Sequence, residues 1–313
     1  MVSIGIDIGG TGIQIGVVDE QGKILAKGAI ITRTEDTYQQ QIHDMAQCAL
    51  ETIEKGGFTL DDVSHIGVGV PGLADRDGVV VFCTNLGWHD IPFRTEFQKH
   101  INKPVYIDND ATVAGLAESA AGVSAGTSSS IFLTLGTGVG GAIILGGKVW
   151  RGHHGVGSEI GHQILVVGGE PCTCGNKGCL ERYCSATAII RMGRELAPTY
   201  PDSVIMQQCE GDVSKINAKI VIDAARVNDP MGAEVFGKYV MYLGQAIANI
   251  INFMDPEVIV LGGGVSKAGD FLVDAVSKEV RKYILYKTLP SAEIKLATLG
   301  ADAGIIGAAM LTE

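Results

Sequence analysis

The chain has 313 residues, 46% of them apolar and 19% charged, which suits a compact fold of about two ordinary domains and excludes long disorder. A formal net charge of −11 argues against non-specific binding to nucleic acid or an anionic membrane surface, which demand basic patches, so neither is an expected partner. The longest apolar run, residues 131–145, is interrupted by glycines and too short to span a bilayer; residues 1–7 lack the pattern of a signal peptide, so the expected compartment is the cytoplasm.

Val2, Ile4, Ile6 and Ile8 alternate with Ser3, Gly5 and Asp7, which predicts a strand. Glycines at 9–12 break it, residues 13–18 resume it, a turn follows, and residues 23–31 make a third strand. Thr37 and Gln40 read as a capping box before a helix with Ile42, Met45, Ala49 and Ile53 on one face, closed by Gly56 and Gly57. Residues 65–72 and 104–110 read as short buried strands ending in loops, and 111–122 as a helix. Residues 130–152 then repeat the opening pattern of strand, Gly-Thr-Gly turn, strand, turn and strand. That recurrence predicts two similar α/β domains facing each other across a cleft. Downstream, 217–229 and 231–254 are helical, 257–265 is a buried strand running into a glycine turn, and 268–284 is a helix; a small-residue helix at 302–311 follows.

Glycine is the compositional anomaly, at 43 residues or about twice the usual ~7%. Three loops share one design, a buried strand followed by small residues: Gly9, Gly10 and Thr11; Gly136, Thr137 and Gly138; Gly262, Gly263 and Gly264. Without Cβ atoms, their backbone N–H groups can turn toward a phosphate, although a lone glycine turn is more often mere geometry. The second loop matches Gly-x-Gly-x-x-Gly at Gly136, Gly138 and Gly141, but a β-hairpin follows where a dinucleotide site needs a helix. Two hairpin loops as phosphate clamps and a third as a nucleoside platform fit better, with Asp7 placed either to hold hydrated magnesium or simply to form the turn. Asp108, Asn109 and Asp110 end a strand, where open α/β sheets carry their sites; such a run also makes ordinary turns.

Cys172, Cys174 and Cys179 are spaced Cys-x-Cys-x₄-Cys, with Gly175 and Gly178 allowing a tight wrap. A cytosolic compartment and an odd count argue against a disulfide, and a thioredoxin-like centre wants Cys-x-x-Cys. Three clustered thiolates suit structural zinc, which takes four ligands, Cys₃His among the usual sets. Cys48, Cys83, Cys184 and Cys209 are scattered and read as packing residues.

Residues 7–12, 69–72, 85–88, 108–111, 133–141, 158–162, 172–181, 261–265 and 302–309, in this order, resemble the ROK family (repressors, open reading frames and sugar kinases), most of all its bacterial glucokinase branch. The resemblance covers essentially the whole chain. It implies a two-domain α/β fold of the actin-like ATPase (ribonuclease H-like) kind with a cleft between the domains. The smaller domain would span 1–115 and be completed by 300–313; the larger would span 116–299 and carry the zinc loop. It further implies an ATP-dependent hexose kinase acting on the sugar 6-hydroxyl, with glucose the first choice. An N-acetylhexosamine, mannose, fructose or allose are the neighbouring substrates. By resemblance Asp110 is the general base, and Asn85, Asn109, Glu159, His162 and Glu181 contact the sugar. His162 is also the fourth ligand of the Cys172–Cys174–Cys179 zinc site, and a homodimer is expected. Trp88 reads as a packing anchor. The sugar-sensing repressors of the family carry a DNA-binding segment ahead of this body; only six residues precede Asp7 here. A structural or chaperone ATPase would have no reason for the sugar and cysteine motifs. The chain departs from the family at Ser158, commonly glycine, at Thr112, commonly asparagine, and at Gly12, where a larger or polar residue is usual.

Overall fold

The computed structural model describes residues 1–312. β1 (Val2–Ile8), β2 (Gly12–Val18) and β3 (Ile24–Ile31) form an antiparallel meander, followed by α1 (Tyr38–Lys55). The Thr37 hydroxyl caps α1 by accepting from the Gln40 N–H at 3.3 Å, while the Gln40 side chain turns to Asp44 instead of back to the cap. β4 (Val63–Val70) pairs parallel to β1. β5 (Gly72–Ala74), β6 (Val80–Cys83) and β7 (Trp88–Ile91) make a separate small antiparallel sheet that the sequence pattern does not announce. α2 (Phe93–Gln98), β8 (Val105–Asn109), α3 (Asp110–Ala121), β9 (Ser129–Leu135), β10 (Val139–Leu145) and β11 (Lys148–Val149) come next. A long irregular stretch leads to α4 (Glu181–Cys184), α5 (Ala186–Leu196), α6 (Val204–Gln208), α7 (Ala218–Arg226) and α8 (Pro230–Met254). β12 (Val258–Gly262), α9 (Gly263–Ser266), α10 (Asp270–Val280), β13 (Glu293–Leu296) and α11 (Ala303–Ala309) follow.

The repeated opening pattern corresponds to repeated topology. One five-stranded sheet has the order β3-β2-β1-β4-β8 and the other β11-β10-β9-β12-β13. Each is a meander whose first strand also pairs with later strands. In both, the turn between the first two strands is a Gly-Thr loop.

The chain divides into two compact units. The first comprises Met1–Phe132, Ala142–Ser158 and the segment from Ala297 onward; the second comprises Leu133–Gly141 and Glu159–Leu296. The first unit therefore extends beyond the expected limit at 115 and holds more of the chain than the second. Packing of α3 on α11 is the reason: Gly307 of α11 lies against the Val113 carbonyl of α3, which keeps α3 in the first unit. In that unit Ile4, Ile6, Ile42, Met45, Phe93 and Phe97 are fully buried between the sheet, α1 and α2. On the other face, α11 presents Ile305 and Ala309 to Val18, and Ile306 to Ala117. Backbone contact is so close that Gly5 and Gly67 touch the carbonyls of Ile305 and Ala308, and any side chain there would collide. In the second unit the fully buried Tyr239 of α8 donates its hydroxyl to the Cys184 carbonyl at 3.1 Å, and α8 packs against α5, α7 and α10. No helix among the described residues is long and apolar enough to cross a membrane.

Candidate active site

In the first unit β1 delivers Asp7 to the first glycine turn, which is closed by the Gly9 N–H donating to the Gly12 carbonyl at 3.0 Å. Thr32 donates its hydroxyl to the Gly9 carbonyl at 2.7 Å, pinning the turn to the end of β3. Gly10 approaches the exposed Asn85, whose amide nitrogen would lie 3.4 Å from a Cβ on Gly10. The Asp7 carboxylate lies against Gly304 of α11. Burial, and then the negative charge of Asp110, raise its pKa to about 6. A carboxylate that feels the charge of a second one suits a cation.

β8 ends and α3 begins at Asp108, Asn109 and Asp110. Asn109 is the N-cap: its side-chain oxygen accepts from the Ala111 N–H at 2.9 Å, and its amide donates to the Gly72 carbonyl at 3.0 Å. Each end keeps capacity for one more partner. Asp110 opens to solvent and accepts from the Ala111 N–H at 2.8 Å; desolvation by the surrounding protein raises its pKa despite that bond. Asp108 accepts from Arg151 Nε at 2.5 Å and from the Asn109 N–H at 2.8 Å, so it is a structural member of the trio. The pairing with Arg151, from the segment after β11, has no sequence signal, because it joins residues far apart in the chain. Trp88 is buried and donates from Nε1 to Gln41 Oε1 at 2.9 Å, in keeping with a packing anchor.

Ser158 adopts φ = 73°, a left-handed conformation that glycine takes without strain; this accounts for the glycine common at this position in the resemblance. Its hydroxyl donates to the Trp150 carbonyl at 3.1 Å.

In the second unit the Gly136–Gly138 turn closes through the Gly136 N–H donating to the Gly138 carbonyl at 3.0 Å. It is held from α5, where the Ala186 N–H donates to the Gly136 carbonyl and the Thr187 hydroxyl to the Thr137 carbonyl, both at 2.7 Å. Glu181 buttresses the same turn: Oε2 accepts from the Val139 N–H at 3.0 Å and touches Gly138. One oxygen of the expected sugar ligand thus has a structural partner. The third glycine loop is the junction of β12 and α9. Gly263 has φ = 83°, and a Cβ there would lie 2.6 Å from the Leu135 carbonyl oxygen, so both conformation and space require glycine.

Glu159 is exposed and stands just before the short turn Ile160–His162, its side chain making no bond to that turn. His162 Nδ1 lies 3.7 Å from Cys172 Sγ, and Cys174 Sγ lies 3.6 Å from Cys179 Sγ. The ligand atoms of His162, Cys172, Cys174 and Cys179 all fall within 4.8 Å of one another. Tetrahedral zinc with Zn–S bonds of about 2.3 Å sets sulfur atoms roughly 3.8 Å apart, so these side chains fit the metal. The thiols are unequal: the Asn176 N–H lowers the pKa of Cys174 to about 7, while burial raises that of Cys179. With Nδ1 turned to the sulfurs, the imidazole leaves Nε2 for another partner.

A five-stranded plan used twice, with a glycine turn at the tip of each opening hairpin, is that of the actin-like ATPase fold. Within that class the chain belongs to the ROK family, whose model matches residues 3–313. It is 37% identical over 315 residues to a glucokinase of Halalkalibacterium halodurans, covering 99% of this chain and 94% of that protein. A ROK family glucokinase of Streptomyces griseus, solved in complex with glucose and AMPPNP, superposes with a TM-score of 0.81 at 34% identity, covering 100% of this chain and 99% of that one. A ROK hexokinase of Thermus thermophilus superposes with a TM-score of 0.85 at 32% identity, covering 99% and 97%.

Proposed function

We propose that the protein is an ATP-dependent hexose kinase that phosphorylates the 6-hydroxyl of glucose. Asp110 carries the reading. It is a carboxylate at the junction of a strand and a helix, open to solvent and made more basic by desolvation, in a chain that matches glucokinases over nearly its whole length. A general base in phosphoryl transfer needs that combination of access and basicity.

In this mechanism Asp110 accepts the proton of the sugar hydroxyl as its oxygen bonds to the γ-phosphorus in line. The bond from that phosphorus to the bridging oxygen breaks, and ADP leaves. Asn85, Asn109, Glu159, His162 and Glu181 are the proposed hydroxyl ligands; Asn109 contributes the hydrogen-bonding capacity left over from its cap, and Glu181 its free oxygen. The Gly9–Thr11 and Gly136–Gly138 turns direct backbone N–H groups to phosphate oxygens, and Gly262–Gly264 supports the nucleoside. Magnesium beside Asp7 would neutralise charge on the transferring phosphoryl group. Zinc on His162, Cys172, Cys174 and Cys179 is structural in this reading, because four protein ligands leave no open position. It would fix the imidazole so that Nε2 faces the sugar. The cytoplasm as compartment and a homodimer as assembly complete the proposal.

Coupled ADP release across a panel of hexoses and N-acetylhexosamines tests it. The highest kcat/KM is expected for glucose. Preference for an N-acetylhexosamine, mannose, fructose or allose would reassign the substrate, and silence on every sugar would sink the kinase reading.

A further inference from the structure

A cavity of about 610 Å³ opens in the first unit along β8, the outer strand of its sheet, and the segment after β11. Arg76, Arg94 and Arg151 line it, three of the nine arginines in a chain of net charge −11. Each is tethered by one contact. Arg76 donates to the Gly152 carbonyl at 3.0 Å, Arg94 to the Val105 carbonyl at 3.0 Å, and Arg151 to Asp108 Oδ2 at 2.5 Å. A guanidinium carries five N–H donors, so each tether orients the group and leaves most of its donors free. The Arg94 side chain also packs against Gly78, which holds its stem.

The negative charges at the cavity are already committed. Asp108 pairs with Arg151, and Asp75 accepts from the N–H groups of Asp77 and Val79 at 2.9 Å each. Among the described residues, Arg76 and Arg94 have no carboxylate within ion-pair distance; the arginine ion pairs are those of Arg151 and Arg191. Oriented guanidiniums without counter-ions on one concave surface call for an anion. A phosphate group presents three oxygens and up to two charges to several forks at once, where a carboxylate presents two oxygens and one charge. Tyr106 and Trp150, the latter 47% exposed, add flat apolar surface for the body of a small molecule. The volume lies within the ~300–1,000 Å³ usual for small-ligand sites.

We propose that this cavity binds a small phosphate-bearing anion, either inorganic phosphate or the phosphomonoester of a small sugar. It is separate from the glycine turns and does not depend on the kinase reading. Because Arg151 also holds Asp108, an occupant shares that guanidinium with the strand end that carries Asn109 and Asp110.

The test is titration of the full chain with inorganic phosphate and with glucose 6-phosphate, read by calorimetry and tryptophan fluorescence, with glucose held saturating to keep the sugar site filled. Saturable binding of at least one probe is expected, and the tighter of the two identifies the source. The double substitution Arg76→Ala, Arg94→Ala should weaken it by at least about tenfold while leaving sugar phosphorylation unchanged. Arg94 also anchors Val105, so Arg76→Glu, a change at an exposed side chain, gives an independent arm in which the same loss is expected. No saturable binding of either probe, or binding that survives Arg76→Glu unchanged, overturns the site; failure of the kinase reading would instead appear in the sugar panel.

Discussion

At the scale of the residue, Asp110 and Asp7 carry the sharpest expectations. Asp110→Asn keeps the helix start but removes the proton acceptor, so turnover should fall by about 10²–10⁴-fold with smaller changes in KM. The pH profile should reflect both carboxylates. A base must be ionised to act, and both pKa values are raised, that of Asp7 to about 6. The acid limb of kcat/KM should therefore lie above the ordinary carboxylate value of about 4, with rate falling as pH drops through it. A limb at the ordinary value would contradict the desolvated pair. Stability runs the other way. The folded state holds these protons more tightly than the unfolded chain, so the contribution is largest below the unfolded pKa and is lost as pH rises toward about 6. The residue types and the order of Asp108, Asn109 and Asp110 were legible in the sequence. That Asp108 pairs with Arg151, and that the Asn109 amide donates to the Gly72 carbonyl, was not, because those contacts depend on where distant segments come to rest.

At the scale of the element, two clasps organise the segments around the candidate site. Glu118, fully buried in α3, accepts from the N–H groups of Val123, Thr298 and Leu299 and from the Thr298 hydroxyl, at 2.7–3.0 Å. Glu118→Ala strips those donors of their partner in a dry site, and a loss of roughly 3–5 kcal/mol is expected in denaturant unfolding. A change below about 1 kcal/mol would mean that water replaces the carboxylate. The second clasp is the Cys/His cluster. Metal analysis should find about one zinc per chain, and its removal by a chelator should lower the unfolding temperature and raise KM for sugar through His162. A chain with well under one zinc and full activity would reject this. The cysteine spacing announced the three thiols and the family resemblance supplied His162, whereas the β5–β7 sheet and the helices between 181 and 208 went unread. The strands, α4 and α6 are too short to show a period, whereas α5 carries one, with Ala188, Ile189, Met192 and Gly193 buried behind the Ser185 cap.

At the scale of the whole molecule, the last segment of the chain belongs to the first unit, because α11 lies on β1 and β4 with Gly5 and Gly67 against its backbone. Deleting the chain from Ala297 should expose Val18 and Ala117, uncover the sheet face at Gly5 and Gly67, and leave a product that binds ANS and lacks a cooperative transition. A truncated chain that melts like the full one would show that α11 is dispensable. By itself the sequence determined the strands of the two hairpin repeats, the glycine turns, the duplicated plan and the three clustered cysteines, because alternation, missing Cβ atoms and ligand spacing are local properties. Only the tertiary structure decided the boundary near 132, the burial and the charge of Asp110 that raise the pKa of Asp7, and the gathering of three arginines around one cavity. Burial and charge act through space, and chain order does not encode which distant side chains will meet.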